Sequence, residues 1–581
     1  MTGTARSVPV GEVRRFGDRA FLIGVEDASA GRALASALHG ALAAHAGGTG
    51  PDQAEVVGGQ ATVLVALGDD DAEPEAVRQV VAEVLAEGRG TAGADGGAAR
   101  RSTPPGAGRL VTVACAFDGP DLEEVARRAR CTPEEVVRLL TAHALTVGVV
   151  GFSPGFAYLE GLPGPLAGVA RRAEPRPIVP AGSVAVANGH AAVYPTASPG
   201  GWHLVGRTGA SLFSAEHPPY AVLAPGDRVR FTPAGPGDPL EPAPASASRA
   251  SWRPPSGARP VLEVLAPGLR AVLQDAGRRG VAAAGVPGAG PADPVSFTLA
   301  NRLVNNATQA ATLELTGGGA RLRALAACHV AVVGAAPELS VDGAAVPPGR
   351  VLPLAEGQVL AVRGLRQGCR TYVAVAGGIE GPTLFGSRAS DELTGLGPGA
   401  LGPGHRLVAG PWTAPLGDHV VPGAASEVTE GGPVLLRVVP GPHVEHFAPD
   451  ALAHLARTVF RVQRDSNRVG LRLRAEDAGG LAHLAAGGAA GSLDSHGVVT
   501  GAVQLPPGGE PVVLLPDHAT LGGYPVVAVV VRADHGRLGQ CAPGTAVRLV
   551  PVSADEADEA ARAARRAQRA AVRGRYPLAA G

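Results

Sequence analysis

The sequence predicts a mainly β protein with a small α/β domain at its N-terminus, and three observations support this fold class. The chain has 581 residues, more than one hydrophobic core usually holds, so we expect several domains. It contains 83 glycines and 52 prolines, and many of them separate short apolar runs, as turns do in all-β domains. Hydrophobic residues still make up 45% of the chain, which is enough to fill β cores.

Residues 1–105 are predicted to form the α/β domain, and one more strand follows beyond this boundary. Together these elements have the order β-α-β-β-α-β, which is that of a ferredoxin-like α/β sandwich. Ser29 stands where it can cap the first helix. The Gly-, Ala- and Arg-rich stretch 88–108 is predicted to be a mobile loop. In chain order, the elements are a strand at 14–25, a helix at 29–46, two strands within 54–67, a helix at 73–88 and a strand at 109–117.

The rest of the chain is predicted to contain three similar β-barrels. Two helices come first, and the second begins at Thr132-Pro133, a typical capping residue followed by proline at the first helical position. A turn glycine followed by an alternating strand recurs at 225–231, 356–362 and 543–550, each where a barrel would close. The predicted segments are a first barrel at 106–233, a Pro-, Ala- and Ser-rich linker at 234–258, two barrels at 259–435 and 436–552, and a charged helix or tail with a solvated face at 553–581.

Composition argues against several classes of function. The net charge of −1 disfavours nucleic acid as a partner. All 51 basic residues are arginines, so the chain has no P-loop lysine and no lysine that could carry biotin, lipoate or pyridoxal phosphate. Five scattered cysteines without a CxxC pair disfavour a disulfide framework or a zinc site. Because neither a signal peptide nor a membrane span is recognisable, we expect a cytoplasmic protein.

The stretch 151–164, GFSPGFAYLEGLPG, is a candidate binding turn. Proline and glycine fix a tight turn after an apolar strand, and its backbone N–H groups could bind a phosphate or stabilise an oxyanion. The alternative is a packed corner that binds no ligand. The candidate binding residues are Phe152, Pro154, Gly155 and Tyr158.

A second candidate is the stretch 196–208, TASPGGWHLVGRT, in which small residues precede polar ones. Small side chains permit a ligand to approach the backbone closely, as at Ser198, Gly200 and Gly201. His203 is a candidate general base, and Arg207 could clamp a carboxylate or phosphate. The alternatives are a hydrogen-bonded structural histidine and a surface salt bridge.

Carboxylates, guanidiniums and small polar residues are spread over several motifs of the second half. They suit proton transfer and anion binding, and they equally suit ion pairs that anchor loops. The candidates are Gln274, Asp275, Arg278, Asp293, Arg388, Asp391, Arg468, Asp517, Thr520, Gly522, Gly523 and Tyr524.

The motifs resemble those of one enzyme family along nearly the whole chain. VGVVGFSPGFAYLEGLPG and PRPIVPAGSVAVANGHAAVYPTASPGGWHLVGRT are similar to the B subunit of bacterial ATP-dependent 5-oxoprolinase, a domain also known as the first subunit of the allophanate hydrolase family. VLQDAGRRG, LELTGGGA, YVAVAGGIEGPTLFGSRASDELTGLG, DSNRVGLRL and HATLGGYPVVAVV are similar to the C subunit of the same enzyme. The same domains form the carboxyltransferase region of urea carboxylase and urea amidolyase. The resemblance implies cyclophilin-like barrels, one in the B-like half and two in the C-like half.

The resemblance further implies ATP-dependent opening of 5-oxoproline to glutamate, with ATP and Mg²⁺ as cofactors and a separate A subunit as partner. Asp517, Arg388, His203 and Asp275 are then the candidate catalytic residues, and the remaining candidates would bind substrate or nucleotide. The sequence departs from the usual family pattern at residues 518–519, at 466–469, at Ser153 and at Ala157, which leaves the substrate open.

Two other functions stay open. The first is the carboxyltransferase component of a biotin-dependent urea or amide carboxylase, which would need a separate biotin carrier because this chain has no lysine. The second is a non-enzymatic regulator of a histidine kinase, because related domains act on such a kinase. The sequence does not determine the oligomeric state.

Overall fold

The computed structural model describes most of the two predicted halves. Most of the predicted mobile loop and of the predicted linker, and the last eleven residues, lie outside the described residues. No described helix is long and apolar enough to cross a membrane. The described residues are 9–45, 54–68, 74–91, 108–172, 174, 176–216, 219–235, 237–240, 259–412, 416, 431–476 and 493–570.

The N-terminal domain is a four-stranded antiparallel sheet with two helices. Its strand order is β1-β2-β4-β3, so β4 lies between the two strands that α1 connects. The predicted strand 14–25 is instead a hairpin, because Gly17 adopts a φ of 76° at the turn. Asp27, rather than Ser29, caps α1, since its carboxylate accepts the Ala30 N–H at 2.8 Å. The elements are β1 (Val13–Arg15), β2 (Ala20–Gly24), α1 (Ala28–His45), β3 (Ala54–Gly58), β4 (Thr62–Leu67) and α2 (Pro74–Thr91).

The ferredoxin-like order is not confirmed, because the last predicted strand belongs to a different sheet. That strand is β5 (Leu110–Cys115), and it pairs in parallel with Arg228–Pro233 over six residues. This pairing places Val113 and Cys115 in the core of the next domain. The edge position beside β2, which a ferredoxin-like sandwich gives to its last strand, is taken by β1.

The first β-domain, residues 108–240, is a seven-stranded sheet with the order β12-β9-β10-β7-β6-β13-β5. An antiparallel bridge between Ala116 and Arg207 joins its two edges. The predicted cap of α4 is confirmed, because Thr132 accepts the Glu135 N–H. The elements after β5 are α3 (Leu122–Ala129), α4 (Pro133–Ala142), β6 (Leu145–Val150), β7 (Ala157–Glu160), α5 (Gly164–Ala167), β8 (Arg176–Val179), β9 (Ser183–Ala187), β10 (His190–Val193), β11 (Ser198–Gly200), β12 (His203–Arg207) and β13 (Arg228–Pro233).

The second β-domain, residues 259–412, consists of a seven-stranded and a five-stranded sheet that share one apolar core. The orders are β20-β19-β22-β17-β14-β25-β24 and β15-β16-β23-β18-β21. The elements are β14 (Pro260–Pro267), β15 (Arg270–Gln274), α6 (Pro294–Leu303), β16 (Thr312–Thr316), β17 (Ala320–Ala324), β18 (Cys328–Gly334), β19 (Pro337–Val341), β20 (Ala344–Val346), β21 (Val351–Leu354), β22 (Val359–Leu365), β23 (Arg370–Val375), β24 (Ile379–Glu380) and β25 (Arg406–Ala409).

The third β-domain, residues 431–551, contains a closed barrel with the order β26-β33-β30-β31-β28-β27-β34, in which β26 and β34 pair in parallel. The prediction of a mainly β chain is thereby confirmed. The elements are β26 (Val434–Pro440), α7 (Ala451–Arg457), β27 (Phe460–Val462), β28 (Gly470–Ala475), β29 (His496–Gly497), β30 (Ala502–Gln504), β31 (Val512–Leu514), β32 (Leu521–Gly522), β33 (Val526–Val530), α8 (His535–Gln540) and β34 (Ala546–Pro551).

The B-like and C-like halves share a hydrophobic core. One buried cluster includes Leu22 of the N-terminal domain, Phe156 and Trp202 of the first β-domain, and Val498 and Leu521 of the third. Because apolar burial of this kind is the main stabilising force in folding, the two halves form one packed body.

The C-terminal helix α9 (Ala554–Ala570) also joins the halves. Ala557 is fully buried in the shared core, and Asp558 forms an ion pair with Arg15 of the N-terminal domain at 3.0 Å. Further along, the Gln568 carbonyl accepts a hydrogen bond from Arg302 of α6 at 2.8 Å. The prediction of a solvated helix is therefore wrong for the face that carries these contacts.

Candidate active site

A cleft of about 930 Å³ lies between the second and third β-domains. Its walls come from the loop after β15, the start of α6, the turn at 385–388, the third β-domain and α9. Five arginines and one acidic residue line it among the described residues, which gives it an excess of positive charge suited to an anionic ligand. The arginines are Arg279, Arg302, Arg388, Arg532 and Arg565, and the acidic residue is Asp275.

Asp275 follows β15 directly and ties two loops of the cleft together. Its carboxylate accepts hydrogen bonds from the Ser387 hydroxyl at 2.5 Å, the Arg388 N–H at 2.6 Å and the Gly277 N–H at 2.9 Å. Charge-assisted bonds of this kind are stronger than neutral ones. Asp275 therefore fixes the backbone from which Arg388 extends.

Arg388, a candidate catalytic residue, lines the cleft and is partly exposed to solvent. A quarter (25%) of its side chain is solvent-accessible. Its Nε donates to the Gly381 carbonyl at 3.0 Å, and its Nη2 forms an ion pair with Glu380. These contacts hold the planar guanidinium at the wall, where an anion in the cleft can reach it.

A buried ion-pair network lies behind the cleft and connects the two β-domains. Arg468 of the third domain contacts Asp517 of the same domain through Nε and Nη2, at 3.0 and 2.9 Å. Its Nη1 and Nη2 also reach Glu314 at 2.5 Å and the Gly290 carbonyl at 2.6 Å, both in the second domain. This guanidinium is thus used for cross-linking the domains rather than for binding a ligand.

Glu314 stays charged although it is completely buried. Burial alone would raise the pKa of its carboxyl, but the charges of Arg468 and Arg370 hold that pKa below its ordinary value. The Tyr372 hydroxyl and the Ala292 N–H donate to Oε2 at 2.7 and 3.2 Å. Since each oxygen has a donor, the energetic cost of burying the charge is largely offset.

Asp391 is a buried carboxyl beside this network, close to Arg278 and under the influence of the Asp517 charge. Burial raises the pKa of Asp391 to about 7, the negative charge of Asp517 adds to this, and Arg278 at 3.9 Å opposes it. Asp391 accepts hydrogen bonds from the Leu393 N–H at 2.8 Å and from the Thr394 hydroxyl at 2.8 Å. A buried carboxyl that titrates near neutral pH beside a cleft is a feature of catalytic sites as well as of structural networks.

Three other predicted residues hold the loops that surround this network. The Arg278 guanidinium donates to the Ala389 carbonyl at 2.5 Å. The Gln274 amide donates to the Ser390 carbonyl at 2.8 Å and accepts the Gly290 N–H at 3.1 Å. Asp293 caps α6 and accepts the N–H groups of its first turn. The second-half candidates from Gln274 to Asp517 are therefore brought together around one cleft and its buried wall.

The candidate turn at 151–158 does not line this cleft. Its Gly155 N–H donates to the Ala284 carbonyl of the C-like half at 3.0 Å. Phe152, with a φ of 72°, and Phe156 pack edge to face, while Tyr158 is buried with its hydroxyl 3.4 Å from the Ser495 hydroxyl. Pro154 belongs to the same turn. These contacts favour the interpretation of a packed corner, in which the turn packs against the C-like half of the chain.

The candidates 520–524 lie on the third β-domain at the same junction. Gly151 lies directly against Thr520 and Leu521, so that a side chain at 151 would collide with Leu521 and crowd the Thr520 hydroxyl. Thr520 is buried, and its hydroxyl has no hydrogen-bond partner among the described residues. Gly522 pairs with His496, the Gly523 carbonyl accepts the Leu493 N–H at 2.7 Å, and Tyr524 is exposed on the surface.

The candidates 198–207 form a third group, within the first β-domain. His203 is buried with Nε2 3.2 Å from the Ala170 carbonyl, and burial lowers the pKa of its imidazole. Arg207 forms a bidentate ion pair with the exposed Asp118, in which Nη2 contacts Oδ2 at 2.9 Å and Nε contacts Oδ1 at 3.2 Å. The remaining three are Ser198, whose hydroxyl is buried, Gly200, which packs against Tyr194, and Gly201, whose carbonyl accepts the Arg172 N–H. None of them lines the cleft, so the structure does not bring His203 or Arg207 to the other catalytic candidates.

Sequence reasoning missed several residues that shape the site. Glu314, in the strand TLELT, is a charged residue inside an apolar run, and that mismatch is a signal for a buried ion pair. Tyr372 and Arg279 give weaker signals. Tyr372 is the first residue of the apolar part of its strand, and Arg279 is the second of two consecutive arginines. Glu55, which contacts the loop that carries Arg279, gives no such signal.

The fold and the arrangement of these domains define a carboxyltransferase-domain protein. Residues 11–223 match the family described as carboxyltransferase domain, subdomain C and D, and residues 284–551 match carboxyltransferase domain, subdomain A and B. The chain belongs to the family that comprises the B and C subunits of 5-oxoprolinase and the urea amidolyases, and it carries a B-like half before a C-like half.

Individual relatives match one half of the chain or both. The C subunit of 5-oxoprolinase from Escherichia coli is 32% identical over 300 residues, which cover 93% of that protein and 51% of this chain. The B subunit from Bacillus subtilis is 44% identical over 126 residues, 52% of that protein and 21% of this chain. Urea amidolyase from Lachancea kluyveri is 31% identical over 309 residues, but these are only 17% of that protein and 50% of this chain. The crystal structure of the protein TTHA0988 matches 93% of this chain and 100% of its own, with a TM-score of 0.77 and 31% identity.

Proposed function

We propose that this chain is the fused B and C component of an ATP-dependent 5-oxoprolinase, which opens 5-oxoproline to glutamate together with a separate A subunit. One observation carries the proposal: a single chain contains a stretch similar to about half of the B subunit of 5-oxoprolinase and, after it, a half similar to almost all of the C subunit. The relatives are components of enzymes, and their names as subunits imply a further partner.

The chemistry of this reaction suits the cleft. 5-Oxoproline is an anion, and its lactam carbonyl is a poor electrophile. ATP would supply phosphorylation of the carbonyl oxygen, which makes attack by water feasible and adds further negative charge. The excess of arginine over carboxylate in the cleft, including Arg388 and Arg279, would bind such anions and stabilise the charge that develops.

Of the two proposed cofactors, ATP fits the described residues better than Mg²⁺ does. The arginine-lined cleft suits the phosphates of ATP or the carboxylate of the substrate, although with no lysine the chain offers no P-loop. Among the residues that the structure describes, no three His, Cys, Asp or Glu side chains are placed to hold a metal ion. We therefore assign no Mg²⁺ ligand to this chain.

The proposal is tested by measuring glutamate release from 5-oxoproline. The purified chain alone should release none, because an activated lactam must pass directly to the site where water attacks it. Addition of the A subunit from the same source, with ATP and Mg²⁺, should give glutamate and ADP together, and the A subunit alone serves as the control. No glutamate under any of these conditions would contradict the proposal.

A second candidate function is favoured by the carboxyltransferase-domain matches and the urea amidolyase relatives. In that case the chain would transfer a carboxyl group from carboxybiotin to urea or a related amide. The biotin would have to arrive on another protein, because the chain has no lysine to carry it. Carboxylation of urea in the presence of carboxybiotin, without glutamate release, would favour this function over the first.

A further inference from the structure

The loop at 276–290, between β15 and α6, supplies an important wall of the cleft. Gly277, Arg279 and Ala289 of this loop line it. On its inner side the loop is tied to the second β-domain: the Gly277 N–H donates to Asp275 and the Gly290 N–H to Gln274. The position of the exposed Arg279 then depends on what holds the outer side of the loop.

The outer side is held by the B-like half at two places. The first is Glu55, at the start of β3 in the N-terminal domain. Its half-buried carboxylate accepts the Gly280 N–H at 2.5 Å and faces the backbone N–H groups of Val281 and Ala282. Burial raises the pKa of this carboxyl, and these N–H groups and the charge of Arg279 oppose the rise. Successive backbone N–H groups that converge on one anion form a nest, and here a carboxylate of the same chain occupies it.

The second place is the turn at 151–155 of the first β-domain. The Gly155 N–H donates to the Ala284 carbonyl at 3.0 Å. Gly285, with a φ of 80°, lies so close to the Ser153 carbonyl that a side chain there would collide with it. Next to this contact, Val286 is buried against Phe213 of the first β-domain.

We propose that Glu55 is a positioning residue for the cleft: by holding residues 280–282 it sets the place of Arg279, so that the B-like half completes a site built on the C-like half. This inference rests on the proposed function of the cleft. It deepens that function by assigning a role to the N-terminal domain, which contributes no lining residue to the cleft among those described.

Positioning of the loop by Glu55 can be distinguished from simple screening of the Arg279 charge, because the two roles predict opposite effects on the KM. If Glu55 only neutralised Arg279, its removal would increase the positive charge of the cleft and lower the KM for the anionic 5-oxoproline. If Glu55 positions the loop, Glu55→Ala should raise that KM about tenfold or more, the effect expected from losing charge-assisted hydrogen bonds. Glu55→Gln keeps an acceptor oxygen without the charge, so it should restore part of the loss.

The experiment combines kinetics with amide hydrogen exchange on the full chain. In Glu55→Ala, the amides of 280–282 should exchange about tenfold or more faster than in the parent chain. Glu75→Gln is the matched control, since it removes a charge from the same domain at an exposed residue that pairs locally with Arg78. The control should change neither measurement.

Each result decides between the alternatives. Unchanged exchange at 280–282 in Glu55→Ala, or a KM that falls or stays constant, would overturn the proposed role of Glu55. If the parent chain with the A subunit releases no glutamate, the proposed function fails, whereas the exchange comparison still decides whether Glu55 holds the loop. An increase in exchange confined to this loop, with a raised KM that Glu55→Gln partly restores, would support the proposal.

Discussion

Arg468 and Asp517 form a bidentate ion pair, with nitrogen–oxygen distances of 2.9 and 3.0 Å, that is almost completely removed from solvent. The same guanidinium contacts Glu314 of the neighbouring β-domain at 2.5 Å. The pair therefore cross-links the second and third β-domains, and the cleft lies along the interface between them. A charged group with this role is more important for holding the cleft in shape than for contacting a ligand.

Arg468→Ala should strongly destabilise the protein, because it leaves the carboxylates of Asp517 and Glu314 buried without their partner. Breaking a buried ion pair in this way costs about 3–5 kcal/mol. Chemical denaturation followed by circular dichroism measures the loss. Arg472→Ala is the control: Arg472 is in the same domain and pairs with Asp465, but both are exposed. Such a pair contributes about 0–1 kcal/mol, and equal effects of the two substitutions would contradict the assigned role.

Asp391→Asn should change how stability depends on pH. The pKa of Asp391 is raised to about 7 by burial and by Asp517, whereas in the unfolded chain an aspartate has a pKa of about 4. Between these values the folded state keeps a proton that the unfolded state has lost, so this group makes stability fall as the pH rises.

Asparagine has no proton to lose, and its amide can accept from the Leu393 N–H and donate to the Thr394 hydroxyl. We therefore expect the free energy of unfolding of Asp391→Asn, relative to the parent chain, to rise by on the order of 2 kcal/mol between about pH 5 and about pH 8. Denaturation curves at a series of pH values measure it. A difference between the two proteins that does not vary with pH would show that Asp391 does not titrate in this range.

Gly285→Ala tests the contact between the halves at the turn 151–155. An alanine at 285 would meet the Ser153 carbonyl and would also adopt a φ of 80°, which L-residues disfavour. Gly404→Ala has almost the same backbone strain, with a φ of 83°, but no described atom lies within 4 Å of the added methyl group. The difference between the variants in thermal unfolding isolates the collision, for which we expect about 1–3 kcal/mol. Equal destabilisation would mean that the turn and the loop are not in close contact.

Sequence reasoning predicted the local elements better than their partners. The two strands within 54–67 and the start of α4 at Thr132 follow from alternation and from capping chemistry, which are local properties. The destination of β5 could not be predicted in this way, since its partner, Arg228–Pro233, lies far along the chain. Asp27 and Ser29 are both good capping residues, so the sequence alone does not determine which of them caps α1, and the backbone geometry selects Asp27.

For the candidate site too, the sequence predicts the residues better than it predicts their partners. Motifs of a known family predict Gln274, Asp275, Asp391 and Asp517 as site residues, and the structure brings them together around one cleft and its buried wall. Their division into exposed wall and buried support could not be predicted, because a motif does not tell which side chain faces solvent. Glu55 stands at the start of a short strand with ordinary alternation, and its role exists only through the loop that packs on it.

Arg388→Lys tests whether the exposed arginine of the cleft binds the reacting anion. A lysine keeps the positive charge. Its single ammonium group cannot bind an anion and also keep the contacts to the Gly381 carbonyl and to Glu380, as the planar guanidinium can. We expect kcat/KM for glutamate release in the complete enzyme to fall about tenfold or more, with little change in thermal stability. Arg207→Lys is the matched control, because Arg207 forms an exposed bidentate pair in the first β-domain, away from the cleft lining. If Arg388→Lys lowered the melting temperature but left specific activity intact, or if both variants lost activity equally, Arg388 would be a structural residue rather than an anion-binding one.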